Sequence, residues 1–410
     1  MKKSIFIGLL LVWGAPLTSV AEGLFSISDL SYEGATRISL GTYGDSRIAY
    51  TEGTFTVSEA RNSIYVVGHS QHQAIAEFTL PKLSGSRQLA DLPIAQNRQP
   101  FVTFLDRMPT GNPDNINRIT GLRYSDQKLI VNGIQYYDGE GNNTDTTFVI
   151  EDASALSKSP VTGFLKLEAR AHAAGWMTDL PPTYRDLFEG DMIFGYASNY
   201  AINSRSSMGP SAFGVSLKRV LDSQPGDTIP AFPLIDYSID NPIAEDLYNK
   251  SGQNDLWTEV SAAYIGFVVP ETDTYAVFGT SGGHNSGIGY KITQDNGHLC
   301  GGPCPYEAAD VYNYYWFFDI NEMAAVARGE RRPYEVRPYE YGEIKLPFQE
   351  QSSVPKTIVG ASFSSESNRL YLMLNRADQI QSRYESAPVI LAYSLGLGSR
   401  PKPPSLIQTQ

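Results

Sequence analysis

Five times along the chain, three short apolar runs follow one another, separated by turn residues. The copies fall at 53–57, 63–69 and 74–80; 119–124, 128–138 and 147–152; 175–179, 191–199 and 211–217; 262–269, 274–281 and 314–320; and 358–364, 369–376 and 388–395. In each copy the first run begins near a small residue, and the second ends in polar or aromatic residues. Recurrence of a several-stranded unit predicts an all-β chain folded as a β-propeller, one unit per blade.

A blade holds four antiparallel strands, here a to d from the axis outward. The spacing predicts fourth strands at 87–92, 161–167, 232–238 and 340–346. Nothing suitable follows Leu395, because the tail 396–410 is polar and Pro-rich. The segment 33–41 precedes the first blade and is expected to supply the missing outer strand, closing the ring and removing exposed edges. Five blades is the expected count. The units are long for four strands, so seven is the competing count, with 106–117 and 236–259 as the gaps where degenerate blades would hide. Helical segments are expected at 182–189 and 320–329, and a helical turn at 152–158.

Composition agrees with a strand-and-turn protein: 36 Gly, 25 Pro and 25 Tyr in 410 residues, with 19% charged. The net charge of −12 argues against a nucleic-acid partner and against broad adhesion to anionic membranes. It leaves room for a local basic pocket. Lys2 and Lys3, the apolar run 5–13 and the small residues Ser19-Val20-Ala21 have the form of a secretory signal. The expected organisation is a signal peptide over 1–21 and a single propeller domain over 22–410. The mature protein would be secreted or periplasmic, monomeric and not inserted in a membrane. Cys300 and Cys304 are the only cysteines and are expected to form a small disulfide loop; a redox-active pair is the alternative reading.

Propeller geometry selects the candidate chemistry. The ends of the b strands and the starts of the a strands converge on one face. The b strands end in His69, Tyr136-Tyr137-Asp138, Asn199-Tyr200, His284 and Arg376, and the a strands begin near Glu52, Arg118, Trp176 and Glu259. Carboxylates Glu52, Asp138 and Glu259 suit glycoside hydrolysis, which needs an acid and a base or nucleophile. His69 or His284 as base, Tyr136 as acid, and Arg118, Arg205 or Arg376 facing a carboxylate suit β-elimination from a uronic-acid polysaccharide. Trp176, Tyr200 and Asn199 suit sugar binding. A carbohydrate or other small ligand is therefore the expected partner. A non-catalytic ligand- or protein-binding propeller of the cell envelope is the alternative. No metal site and no cofactor are expected, with calcium at Asp138 and Glu140 as the alternative reading. The Gly-rich 282–287 run lacks the following helix that a phosphate loop needs.

Three stretches, GWMTDLPPTYRDLFEG (175–190), SRSSMGPSAFGV (204–215) and YNYYWFFDINEMAAVARGERRPYEVRPY (312–339), resemble a family of exported bacterial proteins. The family is propeller-like, without an assigned activity, and the resemblance spans about Asn62 to Tyr371. It implies the same fold. Ser204-Arg205 with Gly209-Pro210 matches its pattern, which makes Arg205 the best single candidate for a ligand contact. The loop around His284 departs from the pattern, which weakens a catalytic role there.

Overall fold

The computed structural model describes residues 23–197, 208–350 and 355–396. The expected signal segment 1–21 lies outside them. Five antiparallel sheets stand in a ring. Blade 1 runs Phe55–Ser58, Ser63–Val67, Ile75–Thr79 and Asn97–Val102. Blade 2 is Arg118–Ser125, Lys128–Ile134, Asp145–Ile150 and Val161–Leu167. Blade 3 is Trp176–Asp179, Met192–Gly195, Ala212–Val215 and Phe232–Ile235. Blade 4 is Ala262–Val268, Thr274–Gly282, Val311–Asp319 and Pro338–Glu343. Blade 5 is Ile358–Ser364, Arg369–Asp378 and Ala387–Leu395, completed by the N-terminal strand Leu30–Ile38. The protein is a five-bladed β-propeller, and the gaps that could have hidden further blades are loops.

The first strands touch in cyclic order, blade 1 to 2, 3, 4, 5 and back to 1. A five-membered ring is tight, and glycine makes the approach possible. A Cβ on Gly360 of blade 5 would lie 1.7 Å from the carbonyl oxygen of Gly53 in blade 1. Ring closure is antiparallel: Leu30 pairs with Leu395 and Arg37 with Val389. The sequence expectation of a closing N-terminal strand is met, three residues earlier than its start was placed.

Blades pack face to face, so middle strands are buried on both sides and read as continuous apolar runs. Ser63–Val67 is buried throughout. Tyr65 and Ile75 of blade 1 share a core with Leu129 and Phe148 of blade 2. Trp316, fully buried in the third strand of blade 4, donates from its indole N–H to Leu256 O at 2.7 Å.

Two expectations need correction. The fourth strand of blade 1 is Asn97–Val102, not 87–92, where a short 3-10 turn Leu89–Asp91 sits instead. The 182–189 segment holds only a 3-10 turn, Pro182–Tyr184. The 152–158 segment holds the expected single helical turn, closed by Ser159 N donating to Ala155 O at 2.9 Å. The helix Ile320–Ala327 forms as expected. The Asp319 side chain caps it by accepting from Asn321 N at 2.8 Å, and Gly329 follows at φ +74°. A second helix, Leu217–Asp222, had no expectation attached. No helix among the described residues is long and apolar enough to cross a membrane.

Candidate functional site

The starts of the first strands and the ends of the second strands surround a cavity of about 470 Å3 on one face of the ring. All five blades contribute. Its wall includes Glu52, His69, Arg118, Tyr136, Trp176 and Arg376, each singled out from sequence. Tyr50, Tyr196 and Tyr264 join them, and sequence reasoning had missed all three as site residues. Tyr264 lies within a strand rather than at its end, and Tyr50 lies ahead of the first blade. A search confined to strand ends passes over both.

Local chain features aim these side chains. Thr51 bridges to His69 and donates its hydroxyl to Val67 O at 2.7 Å, which pins the start of blade 1 beside the end of its second strand. Arg376 sits where pairing of the second and third strands of blade 5 slips between Leu374 and Asp378. Its φ is +48°, and Tyr50 and Gln73 are also left-handed, at φ +62° and +50°. Side chains rarely adopt this backbone, and such strain gathers where surrounding structure imposes it.

Glu52 and Arg118 form an ion pair at 3.5 Å. The Gln73 amide donates to Glu52 at 3.3 Å and to Ser70 O at 2.7 Å, while its carbonyl accepts from Ile119 N at 2.6 Å. This buried amide locks blade 1 to blade 2 and holds the carboxylate. Burial raises the pKa of Glu52, and Arg118 and the Gln73 hydrogen bond partly oppose the rise. The Arg118 guanidinium also lies 4.9 Å from the Tyr136 ring centre. The Tyr264 hydroxyl is pushed up to about 12, first by burial.

His69 stacks on His72 at 4.7 Å and tilts against Tyr50 at 5.4 Å. Its Nδ1 accepts from Gln71 N at 3.1 Å, so the neutral ring carries its proton on Nε2. Burial lowers its pKa, and His72 and Arg47 add to the effect. In this tautomer His69 offers the mouth a donor, not a base. Arg376 has no acidic partner among the described residues; its guanidinium lies 5.5 Å over Tyr50. Glu52 is the one carboxylate among the described residues of the cavity wall. Against it stand two guanidinium groups, so the described part of the wall carries a local excess of one positive charge in a chain of net −12.

The remaining candidates are not among the described residues of the cavity wall. Asn199, Tyr200 and Arg205 are outside the described residues. Asp138 is not in the cavity wall; it accepts from Gly141 N, Asn142 N and Asn143 N at 2.9 to 3.3 Å and shapes its own loop. Glu259 is nearly buried and also outside the wall, and burial pushes its pKa up to about 7. His284 lines a different groove on blade 4. Cys300 and Cys304 form the expected disulfide. No group of three or more His, Cys, Asp or Glu among the described residues is placed to hold a metal ion.

No family model matches the chain, and no curated protein matches it. Both results accord with the resemblance to a propeller family without assigned activity. Among solved structures, the chain is similar to the WD40 repeats of RRP9, at 8% identity and TM-score 0.30, covering 83% of this chain and 67% of that one. It is similar to a candidate glycoside hydrolase from Bacteroides ovatus, at 10% identity and TM-score 0.41, covering 91% and 96%. A member of the DUF4221 family from Bacteroides vulgatus matches at 9% identity and TM-score 0.32, covering 89% and 97%. At these identities and scores the likenesses transfer no activity to this chain.

Proposed function

We propose that the mouth of the propeller is a binding site for a glycan bearing a carboxylate, in an exported protein. The observation that supports it is the cavity of about 470 Å3, walled by aromatic rings from blades 1 to 4 and facing Arg376. Its size falls within the range of about 300–1,000 Å3 usual for small-ligand sites. Trp176, Tyr50 and Tyr136 offer apolar ring surface of the kind that packs on the C–H faces of sugars. Arg376 offers a planar fork of donors that fits a carboxylate bidentately. His69 supplies a shorter-range polar contact through its Nε2–H. The Cys300–Cys304 disulfide is compatible with an oxidising, extracytoplasmic compartment.

Binding is favoured over turnover by the state of the groups present. Two-carboxylate hydrolysis needs a partner for Glu52, and the described wall supplies Arg118 instead. β-Elimination needs a base, and the His69 nitrogen that could accept a proton is already hydrogen-bonded to Gln71 N.

A panel of neutral and uronate oligosaccharides tests the reading, with binding and product release recorded together. The proposal expects uronate oligosaccharides to bind without the unsaturated product that elimination leaves. Preference for neutral sugars, or binding to none of the panel, overturns it. Steady release of unsaturated product would retain the ligand class and overturn the non-catalytic assignment.

A further inference from the structure

We propose a second ligand site on the flank of blade 4, built to hold an alkylated ammonium group. A groove of about 470 Å3 lies there and shares no lining residue with the mouth. Tyr312 and Tyr314 alternate on the third strand and therefore share a face, as do Tyr341 and Glu343 on the fourth. Tyr314 and Glu343 are register partners. His284 stacks on Tyr312 at 4.8 Å and meets Tyr314 edge-on at 5.1 Å. Asp255 completes the wall from the preceding loop. The Tyr341 hydroxyl donates to its carboxylate at 3.4 Å, and the Tyr314 hydroxyl donates to its carbonyl oxygen at 2.8 Å.

The groove is held in shape from beneath. Asp310 accepts from Asn285 N, Ser286 N, the Ser286 hydroxyl and the Tyr312 hydroxyl at 2.7 to 3.1 Å. The Ser281 hydroxyl lies 2.8 Å from His284 Nε2. The tyrosines and histidine are thereby fixed as a preformed aromatic wall.

Charge selects the ligand. Asp310, Asp255 and Glu343 all favour protonated His284, yet burial outweighs them and its pKa falls. The imidazole therefore supplies a ring without a positive charge. Lys345 compensates Glu343 from the exposed side. Asp255 has no cationic partner among the described residues. The rings of Tyr312 and Tyr341, beside a carboxylate that no described cation offsets, attract a cation with a diffuse charge, and quaternary ammonium ions are the strongest case of that chemistry. A neutral sugar would use the rings but gain nothing from the field.

The test titrates the full chain with choline chloride and with its uncharged isostere 3,3-dimethyl-1-butanol, by calorimetry and saturation-transfer NMR at low salt. Choline is expected to bind with a Kd on the order of 1 mM, and the isostere about tenfold more weakly. Asp255→Asn and Tyr341→Ala change exposed residues. Each should weaken choline binding about fivefold or more, with an unchanged circular dichroism spectrum. Equal affinity for the charged and neutral probes, no binding of choline, or unchanged affinity in both variants overturns the proposal. None of these readings depends on what the mouth binds.

Discussion

Replacing Glu259 with Gln should stabilise the folded chain at alkaline pH and leave its stability near pH 5 little changed. Glu259 is 9% exposed, and burial pushes its pKa from 4.5 to about 7. The folded state therefore holds the proton more tightly than the unfolded state. Between those two values the folded chain binds more protons, so stability falls as pH rises. The favourable contribution is complete below 4.5 and is lost as pH passes about 7. At 1.36 kcal/mol per pH unit, the interval from 4.5 to about 7 sets an upper limit of about 3 kcal/mol. Partial access of water lowers the expectation to about 1–2 kcal/mol. Glutamine keeps the shape and stays neutral, so it escapes the loss. Urea unfolding of both proteins at about pH 5 and about pH 8.5 measures the effect. The gap between variant and wild type should open only at the higher pH. A gap that is the same at both values, or a variant less stable at the higher pH, would refute the reasoning. Because Glu259 lies outside the cavity wall, the variant should also keep its ligand binding at the mouth.

Two further outcomes follow from the architecture. Deleting the chain up to residue 38 strips blade 5 of its outer strand and exposes the long edge Ala387–Leu395. The product should aggregate, and a monomer on size-exclusion chromatography with an unchanged melting temperature would contradict ring closure. Gly360→Ala forces a methyl group against Gly53 O and should cost about 1–3 kcal/mol in chemical denaturation. A loss below about 1 kcal/mol would show that the ring is looser than described.

The fold was legible where burial is two-sided. Second and third strands such as Lys128–Ile134 and Asp145–Ile150 are buried almost throughout and carry the apolar runs Leu129–Val131 and Phe148–Ile150, so they stand out without an alignment. Outer strands are half-solvated and carry a weaker signal. Asn97–Val102 reads as polar, includes Pro100, and is buried mainly at Phe101. Proline is tolerated there because an edge strand has N–H groups that need no partner. The preceding run 87–92 looked more like a strand because its leucines pack downward from a turn. The helix Leu217–Asp222 is too short to show a period, and only its Ser216 cap marks it.

The candidate site was legible to the extent that topology determines it. Strand ends from all five blades do converge, which brings Glu52, His69, Arg118, Tyr136, Trp176 and Arg376 to one wall. Distance along a loop was not legible. Asp138 turns back to bind the backbone of its own loop, and His284 lines a separate groove, its Gly-rich loop anchored by Asp310 just ahead of the third strand. Protonation states were also beyond sequence, since the donor state of His69 depends on one backbone contact.

The most direct test of the central claim is calorimetric binding of a uronate oligosaccharide to wild type and to Arg376→Ala, each at low and high salt. A mouth that recognises a carboxylate through Arg376 predicts a loss of about tenfold or more in the variant, together with a weaker salt dependence. Equal affinity and equal salt dependence in the two proteins would contradict it.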